Sequence, residues 1–167
     1  LDRRRGVEAD SYFQDALSNI DTQTAPFGMT DVHGNGSGIE ELGRLLDDEL
    51  SRRIRTCVRR LRTSAATLFH VAYGLVLAKC TSLDDVVFGS VLSGRMGDVS
   101  GSDRMMGMFI NTLPVRFKIG NSDVFNAMRS MQGTLVNLQK HEQTSLVTAQ
   151  RHSGIGGDVA LFSAILN

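Results

Sequence analysis

Val86-Val87-Phe88-Gly89-Ser90-Val91-Leu92 is apolar on both faces of an extended chain, the pattern of a central strand covered on both sides. A Ser-Leu-Asp-Asp turn, Ser82 to Asp85, leads into it. Before the turn, Ala65 to Cys80 is apolar almost all round, which predicts a buried helix, and Ser64 stands where its first turn needs a cap. After the strand comes a loop, Ser93 to Met105, carrying Arg95, Asp98, Asp103 and Arg104. Gly107 to Ile119 then alternates as a second strand, with Phe109, Asn111, Leu113, Val115, Phe117 and Ile119 on one face. Pro114 has no N–H for the ladder, so this strand lies at an edge or is bulged there. Ser122 is expected to cap a further helix, whose apolar positions Val124, Met128, Met131, Leu135 and Leu138 fall at alternate steps of four and three. Another helical turn covers Thr144 to His152, with His141 at the junction, and Leu161 to Asn167 is strand-like. Helix, buried strand, loop, strand, helix, strand is the order of a layered α/β domain.

The N-terminal third is more polar. Glu8 to Ile20 predicts a short helix with Tyr12, Phe13, Ala16, Leu17 and Ile20 on one side, and Thr22 to Gly38 a linker. His33-Gly34-Asn35-Gly36-Ser37-Gly38 is glycine-rich, but a phosphate-cradling loop needs a strand before it and a helix after it. Here a helix and a linker precede it and a strand, Ile39 to Leu46, is expected to follow, so it reads as a flexible turn. Asp47 to Leu61 is the clearest helix: Leu50, Ile54, Cys57, Val58 and Leu61 share one arc, and Arg52, Arg53, Arg55, Arg59, Arg60 and Arg62 take the other half. Its acids sit at the N-terminal end and its arginines towards the C-terminal end, as the helix dipole favours. In a neutral chain with few aromatics, those arginines read as a solvated face rather than a nucleic-acid surface.

Composition narrows the function classes. The 167 residues carry a formal net charge of zero and are 41% hydrophobic, a globular balance that calls for neither nucleic acid nor a lipid surface. Cys57 and Cys80 lie inside apolar helical patterns, which suits reduced core thiols and a cytoplasmic location. Leu1-Asp2-Arg3-Arg4-Arg5 is no signal peptide, and Ala65 to Cys80 is too short and too interrupted to span a membrane. Asn35-Gly36-Ser37 fits a glycosylation sequon that has no meaning without a secretory route. The last residues form an apolar run, so the sequence is expected to have been cut from a longer polypeptide. No nucleophile motif, metal spacing or phosphate loop is present, and the residues alone predict no catalytic or metal site.

Motifs go further. Met106-Gly107-Met108-Phe109-Ile110-Asn111-Thr112-Leu113-Pro114-Val115-Arg116 resembles the fifth signature motif of the condensation domains of non-ribosomal peptide synthetases, Gly-x-Phe-Val/Ile-Asn-Thr ending in Arg. Tyr12-Phe13 with Leu17 resembles the helix that joins that domain's two lobes, and Ser64 to Leu77 the helix Ser/Thr-x-x-x-Leu-Phe-x-x-Ala. Asp84-Asp85-Val86-Val87-Phe88-Gly89 and Ser93-Gly94-Arg95 resemble its Asp-Asp-Val-Val-x-Gly strand and Gly-Arg loop. His141-Glu142 stands at the sixth motif, of which only the His is kept, and Leu161-Phe162-Ser163-Ala164-Ile165-Leu166-Asn167 resembles the strand ending in Asn.

The resemblance implies an α/β two-layer sandwich with a mixed sheet, one lobe of the chloramphenicol-acetyltransferase-like fold. Residues 1–38 would be the inter-lobe helix and linker, and residues 39–167 a partial C-terminal lobe. In the family, two lobes flank a tunnel in which a carrier-bound aminoacyl acceptor attacks a carrier-bound acyl or peptidyl thioester. No cofactor is bound directly, since substrates arrive on the 4'-phosphopantetheine of carrier proteins. The catalytic His-His-x-x-x-Asp-Gly motif belongs to the N-terminal lobe and does not occur here. Asn111, Thr112, Ser163 and Asn167 are the implied substrate-facing residues. For Asn111 a simpler role, satisfying a bulge near Pro114, is an equal alternative; either way its amide must be hydrogen-bonded within the fold. The implied partners are carrier proteins and the missing N-terminal lobe, with a homodimer expected of the isolated chain. An epimerization or heterocyclization relative, or a non-catalytic docking module, are the alternative readings.

Overall fold

A computed structural model of the chain describes residues 2–32, 34, 37–93, 110–120 and 123–167. In chain order its elements are α1 (Asp2–Leu17), a 3-10 turn at Pro26–Gly28, α2 (Asp48–Arg60), α3 (Ala65–Thr81), β1 (Asp85–Leu92), β2 (Asn111–Lys118), α4 (Val124–Lys140), α5 (Leu146–Gln150) and β3 (Ile165–Leu166). The glycine-rich His33 turn, the Arg95 to Arg104 loop and the first residues of the Met106 motif lie wholly or partly outside the described residues.

The three strands form a mixed sheet in the order β2-β1-β3. β1 and β2 are antiparallel from Asp85 opposite Lys118 to Leu92 opposite Asn111, while β3 runs parallel to β1, Gly89 beside Ile165. β1 is therefore central, as its two apolar faces require, and Val86, Val87 and Phe88 are buried. Pro114 faces Gly89 in unbroken register on a strand at the edge of the described sheet, so its missing N–H costs no ladder bond.

Helices make the second layer. The Phe88 ring meets Tyr73 edge-on at 5.1 Å, and α3 approaches β2 closely at Gly74, where an added Cβ would stand 2.6 Å from the Phe117 ring. α4 lies beside α3, and Gln132 Oε1 accepts hydrogen bonds from Thr63 Oγ1 at 2.7 Å and Thr67 Oγ1 at 2.6 Å. α1 buries Phe13 and Leu17 in the same core.

The helices α2 to α5 each begin on a side-chain cap. Asp47 accepts from Leu50 N at 2.7 Å, Ser64 from Thr67 N at 3.1 Å and Ser145 from Thr148 N at 3.1 Å. α4 is capped by Asp123, accepting from Asn126 N at 2.8 Å; Ser122, expected in that role, lies outside the described residues.

Several local expectations are corrected. Residues Ile39 to Leu46 form no strand, and Leu42 and Leu45 are 98% and 95% exposed. Their apolar residues fall at 39, 42, 45 and 46, a spacing that cannot keep one side of a pleated strand inward. α3 is covered on one side only, leaving Phe69, Leu75 and Val76 exposed. α2 buries Val58 but exposes Cys57, so that thiol is not a core residue. The linker is partly built in: Thr24 and Pro26 are buried, and Thr24 Oγ1 accepts from Val87 N at 2.8 Å, satisfying a β1 donor in place of a neighbouring strand.

Candidate functional site

Asn111 opens β2, half-buried, and all its amide valences but one are used. Its Nδ2 donates to Glu142 O at 2.8 Å and Thr144 O at 2.7 Å, and its Oδ1 accepts from Thr112 N at 2.9 Å. The side chain thus pins the turn between α4 and α5 to the start of the sheet. With β2 in register and unbulged, the expectation of an internally bonded amide holds and the bulge explanation falls away.

The pinned turn presents His141 and Glu142. The His141 imidazole stacks on Tyr12 at 4.7 Å with 24° between planes, joining the turn to α1. Burial pushes this imidazole below its usual value, with Lys140 adding to the effect and Glu8 opposing it. Burial also pushes the Tyr12 hydroxyl up to about 12. Glu142 is only 3% exposed, and its Oε1 has no hydrogen-bond partner among the described residues.

Thr112 points to the opposite side of the strand from Asn111. Its Cγ2, Phe162 Cε2 and Ile165 Cγ2 converge over Gly89, all within 2.8 Å of where a Cβ would be. The absence of a side chain at Gly89 is what lets β2 and the C-terminal segment meet across β1. Ser163 donates its backbone N–H to Thr24 O at 3.1 Å, while its Oγ is buried without a partner among the described residues. Asn167 is exposed just beyond β3. The structure therefore brings Thr112 to the C-terminal segment, sets Asn111 against the α4–α5 turn, and gathers the four expected residues into no single cluster.

Sequence reasoning missed one further arrangement, the Arg116 fork, and in a second, at His70, missed only the partner. Arg116 forks onto Asp85, Nε to Oδ1 at 2.8 Å and Nη2 to Oδ2 at 2.6 Å, and its Nη1 donates to Ala16 O at 2.7 Å and Asn19 Oδ1 at 2.6 Å. Burial pushes the Asp85 carboxyl up, but the hydrogen bonds and charge of Arg116, with Lys118, outweigh it and hold the group below its usual value. Beside this clamp a cavity of 520 Å³ opens between α1, β2 and α4, lined by Tyr12, Ala16, Pro114, Arg116, Met131 and Asn137. None of Asn111, Thr112, Ser163 or Asn167 lines it. The only signal was Arg116 at the end of the motif; its partners lie 31 to 100 residues away, beyond any periodicity.

His70 and Ser90 form the other arrangement. His70 Nδ1 lies 2.7 Å from Ala66 O and Nε2 2.9 Å from Ser90 Oγ. With Nδ1–H donating to the carbonyl, Nε2 accepts from the Ser90 hydroxyl. The pairing resembles an activated nucleophile, but both residues are buried in the core, so no substrate reaches the hydroxyl. His70 is the hydrogen-bonded core histidine expected from its place in α3. Among the described residues no cluster of His, Cys, Asp or Glu is placed to hold a metal ion, and no single helix is long and apolar enough to cross a membrane.

Comparison with known proteins supplies the frame for this geometry. Residues 33–167 match the family model for the Condensation domain. Malpibaldin synthetase of Mortierella alpina is 45% identical over 160 residues, covering 96% of this chain and 3% of that protein. Surfactin synthase subunit 2 of Bacillus subtilis is 29% identical over 160 residues, covering 95% and 4%. The chain thus spans only a few per cent of the length of these curated relatives. Among solved structures, a mutant starter condensation domain of rhizomide synthetase in complex with C8-CoA superposes with a TM-score of 0.69 at 18% identity, over 97% of this chain and 35% of that one. A four-domain nonribosomal peptide synthetase bound to AMP and glycine gives 0.72 at 14% identity, over 86% and 11%. At those identities the likeness is one of fold, the mixed α/β, chloramphenicol-acetyltransferase-like fold of condensation domains. Family match, relatives and fold agree, and the chain belongs to the condensation-domain family of non-ribosomal peptide synthetases.

Proposed function

We propose that this chain forms one wall of a condensation tunnel in which an amide bond is made between two carrier-bound substrates. Residues 1–38 act as inter-lobe helix and linker, and residues 39–167 as part of the C-terminal lobe. The acceptor amine attacks the carbonyl of the donor thioester, a C–N bond forms and the C–S bond breaks. A base outside this chain takes the amine proton and returns it to the departing thiolate, so the free thiol stays on the donor carrier's phosphopantetheine. Asn111 supports this reading most directly: its two bonds into the α4–α5 turn fix the start of β2 rigidly, as a wall beside a reacting centre requires. Thr112, Ser163 and Asn167 are assigned to the same wall. Carrier proteins and an N-terminal lobe are the partners, in the cytoplasm.

The sequence contains no His-His-x-x-x-Asp-Gly string, so the 167-residue polypeptide alone is expected to form no amide. The test joins this sequence to a family N-terminal lobe and supplies two loaded carrier proteins, with amide product followed by mass spectrometry. Product from the joined protein and none from the 167 residues supports the proposal. Product from the 167 residues above the uncatalysed rate, or none from a folded joined protein, overturns it.

A further inference from the structure

We infer that the arginine-lined groove between α2 and the start of α4 is a docking surface for an acidic amphipathic helix of a partner polypeptide. Arg52, Arg53, Arg55, Arg59, Arg60 and Arg62 are all exposed. Arg52, Arg53 and Arg60 rim a depression against α4, Arg62 a smaller one adjoining it, and Arg55 and Arg59 a third formed by α2 alone. A cavity of 720 Å³, lined by Arg52, Arg53, Thr56, Cys57, Arg60, Leu61 and Phe125 with Glu49 at one end, shares Leu61 and Phe125 with one of 260 Å³ that adds Arg62 and Arg129. It shares Arg52 and Thr56 with a third, of 480 Å³, that adds Arg55 and Arg59. Two elements build the surface, with Phe125 coming from the first turn of α4.

Charge and floor together define the ligand. Arg52 pairs with Glu49, but among the described residues no carboxylate pairs with Arg53, Arg55, Arg59, Arg60, Arg62 or Arg129. Six like charges so close together repel one another, and a carboxylate-rich partner relieves that repulsion. The floor is apolar: Leu61 and Cys57 from one side and Phe125 from the other, 44% exposed, with the Arg129 guanidinium 4.9 Å from its ring centre. A polynucleotide gains little from such a floor and would want several stacking aromatics, of which the groove has one. An amphipathic helix fits both parts, with an aliphatic side chain against Phe125 and Leu61 and acidic residues flanking it towards the arginines. The 13-residue α2 offers about 20 Å of surface, some four turns of such a helix. This docking role stands independently of the amide-forming proposal.

The probe is a fluorescein-labelled synthetic peptide of about 18 residues, with leucines at helical i, i+4 and i+7 spacing and glutamates on the flanks. Controls are a shuffled peptide of the same composition and a single-stranded thymidine oligonucleotide, with binding to the intact chain read by fluorescence anisotropy. The amphipathic peptide is expected to bind saturably, at least about tenfold tighter than either control, and Arg53→Glu with Arg60→Glu to weaken it by at least about tenfold. Phe125→Ser is expected to weaken the peptide and leave the oligonucleotide unaffected. These positions are exposed, so an unchanged thermal midpoint verifies that each variant is folded. Equal binding of the shuffled peptide or the oligonucleotide would reduce the groove to bare polyanion attraction and overturn the inference. So would the absence of peptide binding, or undiminished binding by the folded double variant.

Discussion

Single side chains at two positions decide whether buried polar groups are satisfied. Replacing Asn111 by Ala removes both donors to the α4–α5 turn and strands two carbonyls, at an expected cost of about 1–3 kcal/mol in chemical denaturation. Asn111→Asp is expected to do no better, because a carboxylate brings acceptors where the turn needs donors. His70 gives the fold a pH dependence. Burial lowers its folded pKa, against the smaller raising effect of its bond to Ala66 O, so the unfolded chain binds protons more readily. Stability from His70 is present above the unfolded value of about 6.5 and is lost as pH falls through the folded one. His141 shifts the same way and contributes in the same window. Denaturant midpoints are expected to be flat above pH ~7 and to fall below it. His70→Gln should remove part of that slope, and an unchanged slope would acquit His70. The buried role of His70 was legible from its place in an apolar helix with no second ligand at helical spacing. The burial of Glu142 was not, since nothing in its neighbours announces it.

Elements were legible where one periodicity was enforced by packing on both sides. β1 and α4 sit where their patterns place them because a continuous apolar run or a four-three repeat buries only in one arrangement. Residues 39–46 went the other way: with one β-branched residue, no matching alternation and no neighbouring edge among the described strands, a strand did not form. The junction of strands turns on Gly89. Its bare backbone admits Thr112, Phe162 and Ile165 at once, and Gly89→Ala forces three side chains aside together. The expected loss is about 1–3 kcal/mol, read as a lowered denaturant midpoint, with Phe162→Leu in the same background recovering part of it. The sequence could not place this contact, because register alone sets Gly89 beside both Pro114 and Ile165.

Across the whole molecule, exposed apolar surface is the feature most at odds with an isolated monomer. Phe69, Leu75 and Val76 lie bare on α3, and Ile39, Leu42 and Leu45 on the segment before α2. Apolar patches of more than a few hundred Å² generally recruit a partner. The 167-residue chain is therefore expected to self-associate, most simply as a two-fold dimer. Light scattering at low micromolar concentration decides this, and a mass near the 18.2 kDa of one chain would refute it. Fold class and family were readable because the described parts of the motifs, on α3, β1 and β2, lie in the buried core. The relation among Asn111, Thr112, Ser163 and Asn167 was not, because the α4–α5 turn draws Asn111 to one side while the crossing of the C-terminal segment over β1 sets what Thr112 meets.

The Arg116 fork carries a consequence for the order in which the chain assembles. Its bond to Asp85 closes a span of 31 residues inside one strand pair, whereas its bonds to Ala16 and Asn19 close 100 and 97. Closing the longer span costs roughly 1 kcal/mol more in chain entropy. The hairpin is therefore expected to form in the transition state and α1 to dock afterwards. Ala16 and Asn19 contacts would then stabilise the native basin without lowering the folding barrier, so Asn19→Ala should speed unfolding in a chevron plot and leave the refolding limb almost unmoved. The helix that is first in the sequence would thus be the last to arrive, and the latch that sets how long the folded state lives.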